Sequence, residues 1–165
     1  MRHIISVLLE NESGALSRVS GLFSARGFNI ESLTVAATND ATLSRMTIVS
    51  IGDDGIIDQI VKQLDKLIDV VQVTDLTATE HIERELLLVK VDVNPNTQAD
   101  IDRQIDMFSA KIVDVSEDTY LLELAGRSQK INDFLEALKA FQILEVSRTG
   151  VTGVCQKRTD YIKQG

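Results

Sequence analysis

Ser6-Val7-Leu8-Leu9-Glu10-Asn11-Glu12-Ser13-Gly14-Ala15-Leu16-Ser17-Arg18-Val19 changes its hydrophobic period at the middle. Before Asn11 the apolar residues run together, as in a strand buried on both faces. After Gly14 they recur at Leu16, Val19, Leu22 and Phe23, the spacing of one helix face. A polar turn, Asn11 to Gly14, separates the two patterns. The chain therefore opens strand, turn, helix, and Gly27 predicts where the helix stops.

Further along, residues 29–37 and 43–51 read as strands on either side of the turn Thr38-Asn39-Asp40. Gly52 to Gly55 breaks the second strand. Ile57, Ile60, Val61, Leu64 and Leu67 form another helical stripe, and residues 68–76 return as a strand. The order βαββαβ is the split-βαβ, or ferredoxin-like, unit. Residues 77–84 are polar and read as a linker.

The same grammar recurs after roughly 75 residues. Residues 85–93 predict a strand, Asn94-Pro95-Asn96 a turn, and Ile101, Ile105 and Phe108 a helix with Thr97 and Asp100 as its capping box. Strands at 111–115 and 120–125 follow. Ser128 then caps a helix striped by Ile131, Phe134, Leu135 and Leu138, and residues 142–147 close the pattern. The expected fold class is α+β, with two ferredoxin-like βαββαβ domains at residues 1–78 and 79–165, the second ending in a short tail. The first strand is apolar at both phases, Ile5, Val7 and Leu9 alternating with Ile4 and Leu8. Its face away from the helices needs cover, from the other half or from a second copy of the chain.

Composition narrows the function. The net charge is −8, and no basic patch exists beyond Lys157-Arg158 with Lys163 nearby, which reads as a solvated tail. Nucleic acid is therefore not an expected partner. Trp is absent, and Phe and Tyr together number seven, so stacking platforms for bases are scarce. No apolar run reaches the roughly 18 residues of a membrane span. The single cysteine, Cys155, fits a reducing compartment, and a cytoplasmic location is expected. His3 and His81 lack the spacing of a metal pair, and no catalytic motif appears, so neither a metal site nor a catalytic residue is expected.

The turn at Asn11 to Leu16 has chemical potential. Helix-start N–H groups carry partial positive charge and suit a carboxylate. Gly14 lacks a Cβ, and Asn11 offers a donor and an acceptor, which an α-amino acid needs. Leu9, Leu16 and Ile30 are candidates for an aliphatic wall. A plain capped turn explains the same residues, with Ser13 as N-cap. A small ferredoxin-like acyl-phosphate hydrolase is the alternative from another class, but its chemistry wants an arginine, and Asn11 to Gly14 holds none.

Leu9-Glu10-Asn11-Glu12-Ser13-Gly14-Ala15-Leu16, with Val19, Leu22 and Phe23, then Gly27-Phe28-Asn29-Ile30, resembles the ACT domain, a sensor of amino-acid metabolism. Asn11 and Ser13 stand where that family usually has Asp and Pro. Ser6 to Val19, Asn29-Ile30-Glu31-Ser32-Leu33-Thr34-Val35 and Leu43-Ser44-Arg45-Met46-Thr47 are similar to the small regulatory subunits of acetohydroxyacid (acetolactate) synthase. The resemblance implies an N-terminal ACT domain and a C-terminal ACT-like domain. It implies a large catalytic subunit as partner, which holds thiamine diphosphate, magnesium and FAD, with no cofactor in this chain. It implies activation and feedback inhibition, usually by valine, in branched-chain amino acid biosynthesis. The effector is expected between two chains of a homodimer, on the Asn11–Gly14 loop of one and on Asn29–Ile30 of the other. The effector set is Leu9, Asn11, Gly14, Ala15, Leu16, Asn29 and Ile30, with Ser17, Thr34 and Ala36 nearby. The equivalent turn of the second half, Asn94 to Thr97, has no glycine, and Pro95 removes an N–H. No effector is expected there.

Overall fold

β1 (Arg2–Glu10) forms an interior strand of the first sheet, and every residue from His3 to Leu9 is buried. The computed structural model describes residues 1–158, so Lys163 lies outside the described residues. After β1 come α1 (Ala15–Ala25), β2 (Ile30–Ala37), β3 (Leu43–Ile51), α2 (Asp54–Asp65) and β4 (Val70–Asp75). The strands are antiparallel in the order β2-β3-β1-β4. Ile5, Val7 and Leu9 share a core with Val19 and Phe23 of α1, and with Ile57, Ile60 and Leu64 of α2. The periodic stripes thus close both helices onto one sheet face. Asp53 caps α2, its carboxylate accepting from the Ile56 N–H at 2.8 Å.

The second unit repeats the plan with β5 (His81–Asp92), α3 (Gln98–Phe108), β6 (Lys111–Val115), β7 (Thr119–Gly126), α4 (Ser128–Leu138) and β8 (Ile143–Arg148), in sheet order β6-β7-β5-β8. Its core joins Leu87, Val89 and Val91 to Ile101, Ile105, Ile131, Phe134 and Leu138. The repeat extends to its irregularities. Pairing slips between Leu8 and Leu9 in β1 and between Lys90 and Val91 in β5, and again at Ile30–Ser32 and at Ile112–Asp114. Matching bulges at matching places indicate duplicated architecture rather than coincident patterning.

A polar staple closes one end of the second unit. Arg148 donates through Nε and Nη2 to the two carboxylate oxygens of buried Glu85, and through Nη1 to Asn132 at 2.9 Å. At the corresponding place in the first unit stands buried His3. Its Nε2 lies 3.3 Å from Asp54 and its Nδ1 lies 4.0 Å from Asp75.

Several expectations change. Residues 77–84 are not a free linker: Leu76–Ala78 form a 3-10 turn and β5 already begins at His81. Ile68, expected in a strand, is 89% exposed and precedes β4. Ser128 does not cap α4, because its hydroxyl donates to Glu85 at 2.9 Å instead. Thr97 and Asp100 make no capping box, since the Asn94 carboxamide already accepts from the Asn96 and Thr97 N–H groups.

The largest difference is at the end of the chain. Residues 151–158 belong with the first unit, which comprises 1–82 and this return, while 83–150 form the second. The division expected at residue 78 therefore omits a strand, β9 (Thr152–Cys155). Val151 joins Ile4, Val49 and Leu76 in a small cluster, with Cys155 against it. This cluster covers Ile4 on the sheet face away from the helices. For Ile4, the cover that the doubly apolar first strand needs comes from the chain's own C-terminal return, through Val151 and Cys155.

Candidate functional site

Gly14 ends the loop between β1 and α1 in the left-handed region, with φ of +82°, and serves as the helix N-cap. That conformation strains an L side chain. A Cβ at Gly14 would also stand 3.1 Å from Arg18 Nη1, so an arginine already occupies the space that a missing side chain leaves. Ser13 is not the N-cap. The N–H groups of Leu16 and Ser17 meet no carbonyl among the described residues, so the helix start retains donors for an anion.

The loop is held firmly. The Asn11 N–H donates to Thr42 at 2.8 Å, and its carboxamide donates to the Ala41 carbonyl at 3.2 Å. No donor meets Asn11 Oδ1 among the described residues, which leaves an acceptor for an ammonium group. Arg18, one helical turn past Gly14, sends Nε to Asp69 and Nη2 to the Ser13 carbonyl at 3.2 Å. The hydrogen bond to Asp69 raises the guanidinium pKa, opposed by partial desolvation and aided by the charges of Asp69 and Glu12. Neither Arg18 nor Asp69 was singled out for the site by the sequence. The available signal was the i,i+4 spacing from Gly14 to Arg18, which returns a long side chain to the loop.

The other expected residues divide. Leu16 is exposed and lies beside the loop. Ser17 is exposed on the same helix start. Leu9 and Ala15 are closed within the helix-side core, so their side chains do not line a ligand surface. Asn29 is exposed, and its carbonyl accepts from the Ser50 hydroxyl at 2.7 Å. Ile30 packs on the core.

Register places these residues decisively. Ile30 pairs with Ser50, which pairs with His3, whereas Glu10 pairs with Leu43 at the other end of the sheet. At about 3.3 Å per residue, the Asn29–Ile30 end lies about 25 Å from the Asn11 end within one chain. Leu9, Leu16 and Ile30 therefore do not form one wall in a single chain. A ligand touching both ends of the set requires two copies. Thr34 and Ala36 lie on β2 between the two ends.

At the turn of the second unit the carboxamide acceptor is already taken. Asn94 Oδ1 accepts from the Asn96 N–H at 2.9 Å and from the Thr97 N–H at 3.1 Å. Among the described residues no group of His, Cys, Asp or Glu is placed to hold a metal ion, and no helix is long and apolar enough to cross a membrane.

A sensor-type domain of the ACT class is what this sheet, helix pair and glycine-ended loop define, and sequence comparison agrees. Residues 5–72 match the family described as the AHAS small subunit-like ACT domain, and residues 84–157 match the family described as the small subunit of acetolactate synthase. The acetolactate synthase isozyme 3 small subunit of Salmonella typhimurium is 52% identical over 93% of this chain and 95% of its own length. The acetolactate synthase small subunit of Haemophilus influenzae is 54% identical over the same shares, 93% and 95%. The crystal structure of the acetolactate synthase small subunit from Thermotoga maritima superposes with a TM-score of 0.86 at 36% identity, covering 96% of this chain and 99% of that one. The chain belongs to the acetolactate synthase small-subunit family.

Proposed function

We propose that this chain is a non-catalytic regulatory subunit. It binds the large catalytic subunit of acetolactate synthase, raises its activity and confers feedback inhibition by valine. Thiamine diphosphate, magnesium and FAD belong to that partner, which condenses pyruvate with pyruvate or 2-oxobutyrate in the cytoplasm. The first unit is the sensor, and the second transmits its state.

The observation that carries this reading is the Asn11–Gly14 loop, in a chain of this family. It combines a left-handed glycine, open helix-start N–H groups and an unclaimed carboxamide oxygen. A carboxylate fits the first two and an ammonium the third. Separation of Asn11 from Asn29 along the sheet supports an effector site shared between two chains. β2 lies at the sheet edge, where unpaired backbone groups suit pairing with a second copy.

Co-expression with the catalytic subunit tests the assignment. The expected result is a stable complex whose acetolactate formation exceeds that of the catalytic subunit alone. Separate elution of the two proteins with unchanged activity contradicts it.

A further inference from the structure

Arg18 contributes to the loop without belonging to it. We infer that Arg18, braced by Asp69, is a positioning residue that sets the shape of the Asn11–Gly14 effector loop; the inference rests on the effector-site reading above.

Both ends of the loop are tied to this one ion pair. Nη2 of Arg18 donates to the Ser13 carbonyl at 3.2 Å, and the Arg18 backbone N–H donates to the Gly14 carbonyl at 3.0 Å. At the other end, the Asp69 backbone carbonyl accepts from the Glu10 N–H at 2.7 Å. The Asp69 side chain is 8% exposed, so its charge requires a fixed partner, and Arg18 Nε supplies one. Asp69 stands just before β4, and Arg18 stands on α1. The pair therefore references the loop to two elements of the sensor unit.

The guanidinium also fills the space beside Gly14. Nη1 lies 3.1 Å from the position of a Cβ on Gly14. A Cβ there makes the guanidinium that holds Ser13 give by a few tenths of an ångström, and a larger side chain competes with it for the space. Lysine is not a substitute, because one ammonium reaches Asp69 but does not span Asp69 and Ser13 together as a planar fork does.

Two variants of the full-length chain test this. Arg18→Lys retains a cation for Asp69 while releasing Ser13. Arg18→Met/Asp69→Leu removes both charges and leaves neither buried and alone. Valine binding is measured by calorimetry and folding by thermal unfolding, with Gly14→Asp in parallel. The expected result is roughly tenfold weaker valine binding in both Arg18 variants, the scale of one lost charge-assisted hydrogen bond. The unfolding midpoint of Arg18→Lys should stay within a few degrees of the parent. Parental valine affinity in both folded variants overturns the positioning role. So does weakened binding accompanied by a midpoint loss large enough to explain it. If Gly14→Asp alone abolishes binding, the effector site stands and only the role of Arg18 fails. If Gly14→Asp binds valine like the parent, the effector-site reading fails and takes this inference with it.

Discussion

Gly153 lies so close to Leu76 that a Cβ added to it would stand 2.8 Å from Leu76 Cδ1. Leu76 closes the first sheet where the chain leaves it, and Gly153 belongs to the strand that returns from the second unit. The sensor unit is therefore discontinuous in sequence. Its cluster of Ile4, Val49 and Leu76 is completed by Val151.

This contact makes a prediction about truncation. A chain ending at residue 80 loses β9 and exposes Ile4, Val49 and Leu76. A version that keeps residues 151–158 and replaces 83–150 by a short linker retains the cover. Such a junction is feasible, because Leu86 and Thr149 near its ends are hydrogen-bonded at 3.0 Å. Burying side chains of this size contributes about 1.5–3 kcal/mol each. The rejoined version should unfold at distinctly higher urea concentration than the 1–80 piece. Equal midpoints would show that β9 contributes nothing to the sensor unit.

Substitution at Gly14 should uncouple the effector without dismantling the subunit. In Gly14→Asp, a side chain at φ +82° meets Arg18 and sets a carboxylate against the effector's own. Strain and repulsion together should cost several kcal/mol of binding. Gly14→Ala, which adds strain without charge, should weaken binding less. Calorimetric titration with valine ranks the three proteins, and an order with Ala at or below Asp contradicts the charge argument.

The staple of the second unit should be worth far more than a surface pair. Arg148→Met removes the cation beside the buried Glu85 carboxylate and should cost about 3–5 kcal/mol. Arg103→Met removes an exposed i,i+3 pair with Asp100 and should cost about 0.5 kcal/mol or less. Hydrogen exchange should place the loss from Arg148→Met within residues 83–150. Similar costs for the two variants would mean that Glu85 is solvated or repartnered.

If the effector bridges two copies, valine must favour the dimer by linkage. Sedimentation over a dilution series should show self-association that tightens when valine is added. A monomer at micromolar concentration with and without valine contradicts a two-chain site.

Much of this molecule was legible in its residues. The helical stripes and the β-branched strands gave the element order of both units, and β3 and β6 lie at the expected bounds. The loop at Gly14 was visible because period, polarity and glycine change together there. What stayed hidden depends on tertiary contact. Val151 to Cys155 is too short to announce a strand, and its place comes from pairing with β5 and from Ile4, Val49 and Leu76. Ser128 looks like a cap until Glu85, distant in sequence, takes its hydroxyl. Arg18 reads as a polar helix residue until Asp69 fixes its direction. Leu9 and Ile30 looked like one wall because spacing does not reveal which end of a sheet each occupies.

Acetolactate formation by the catalytic subunit, alone and with this chain, across a valine titration, is the decisive measurement of the regulatory role. The chain should raise the rate, and valine should then lower it along a saturable curve absent from the catalytic subunit alone. A rate unchanged by the chain, or one that valine leaves untouched, would contradict it.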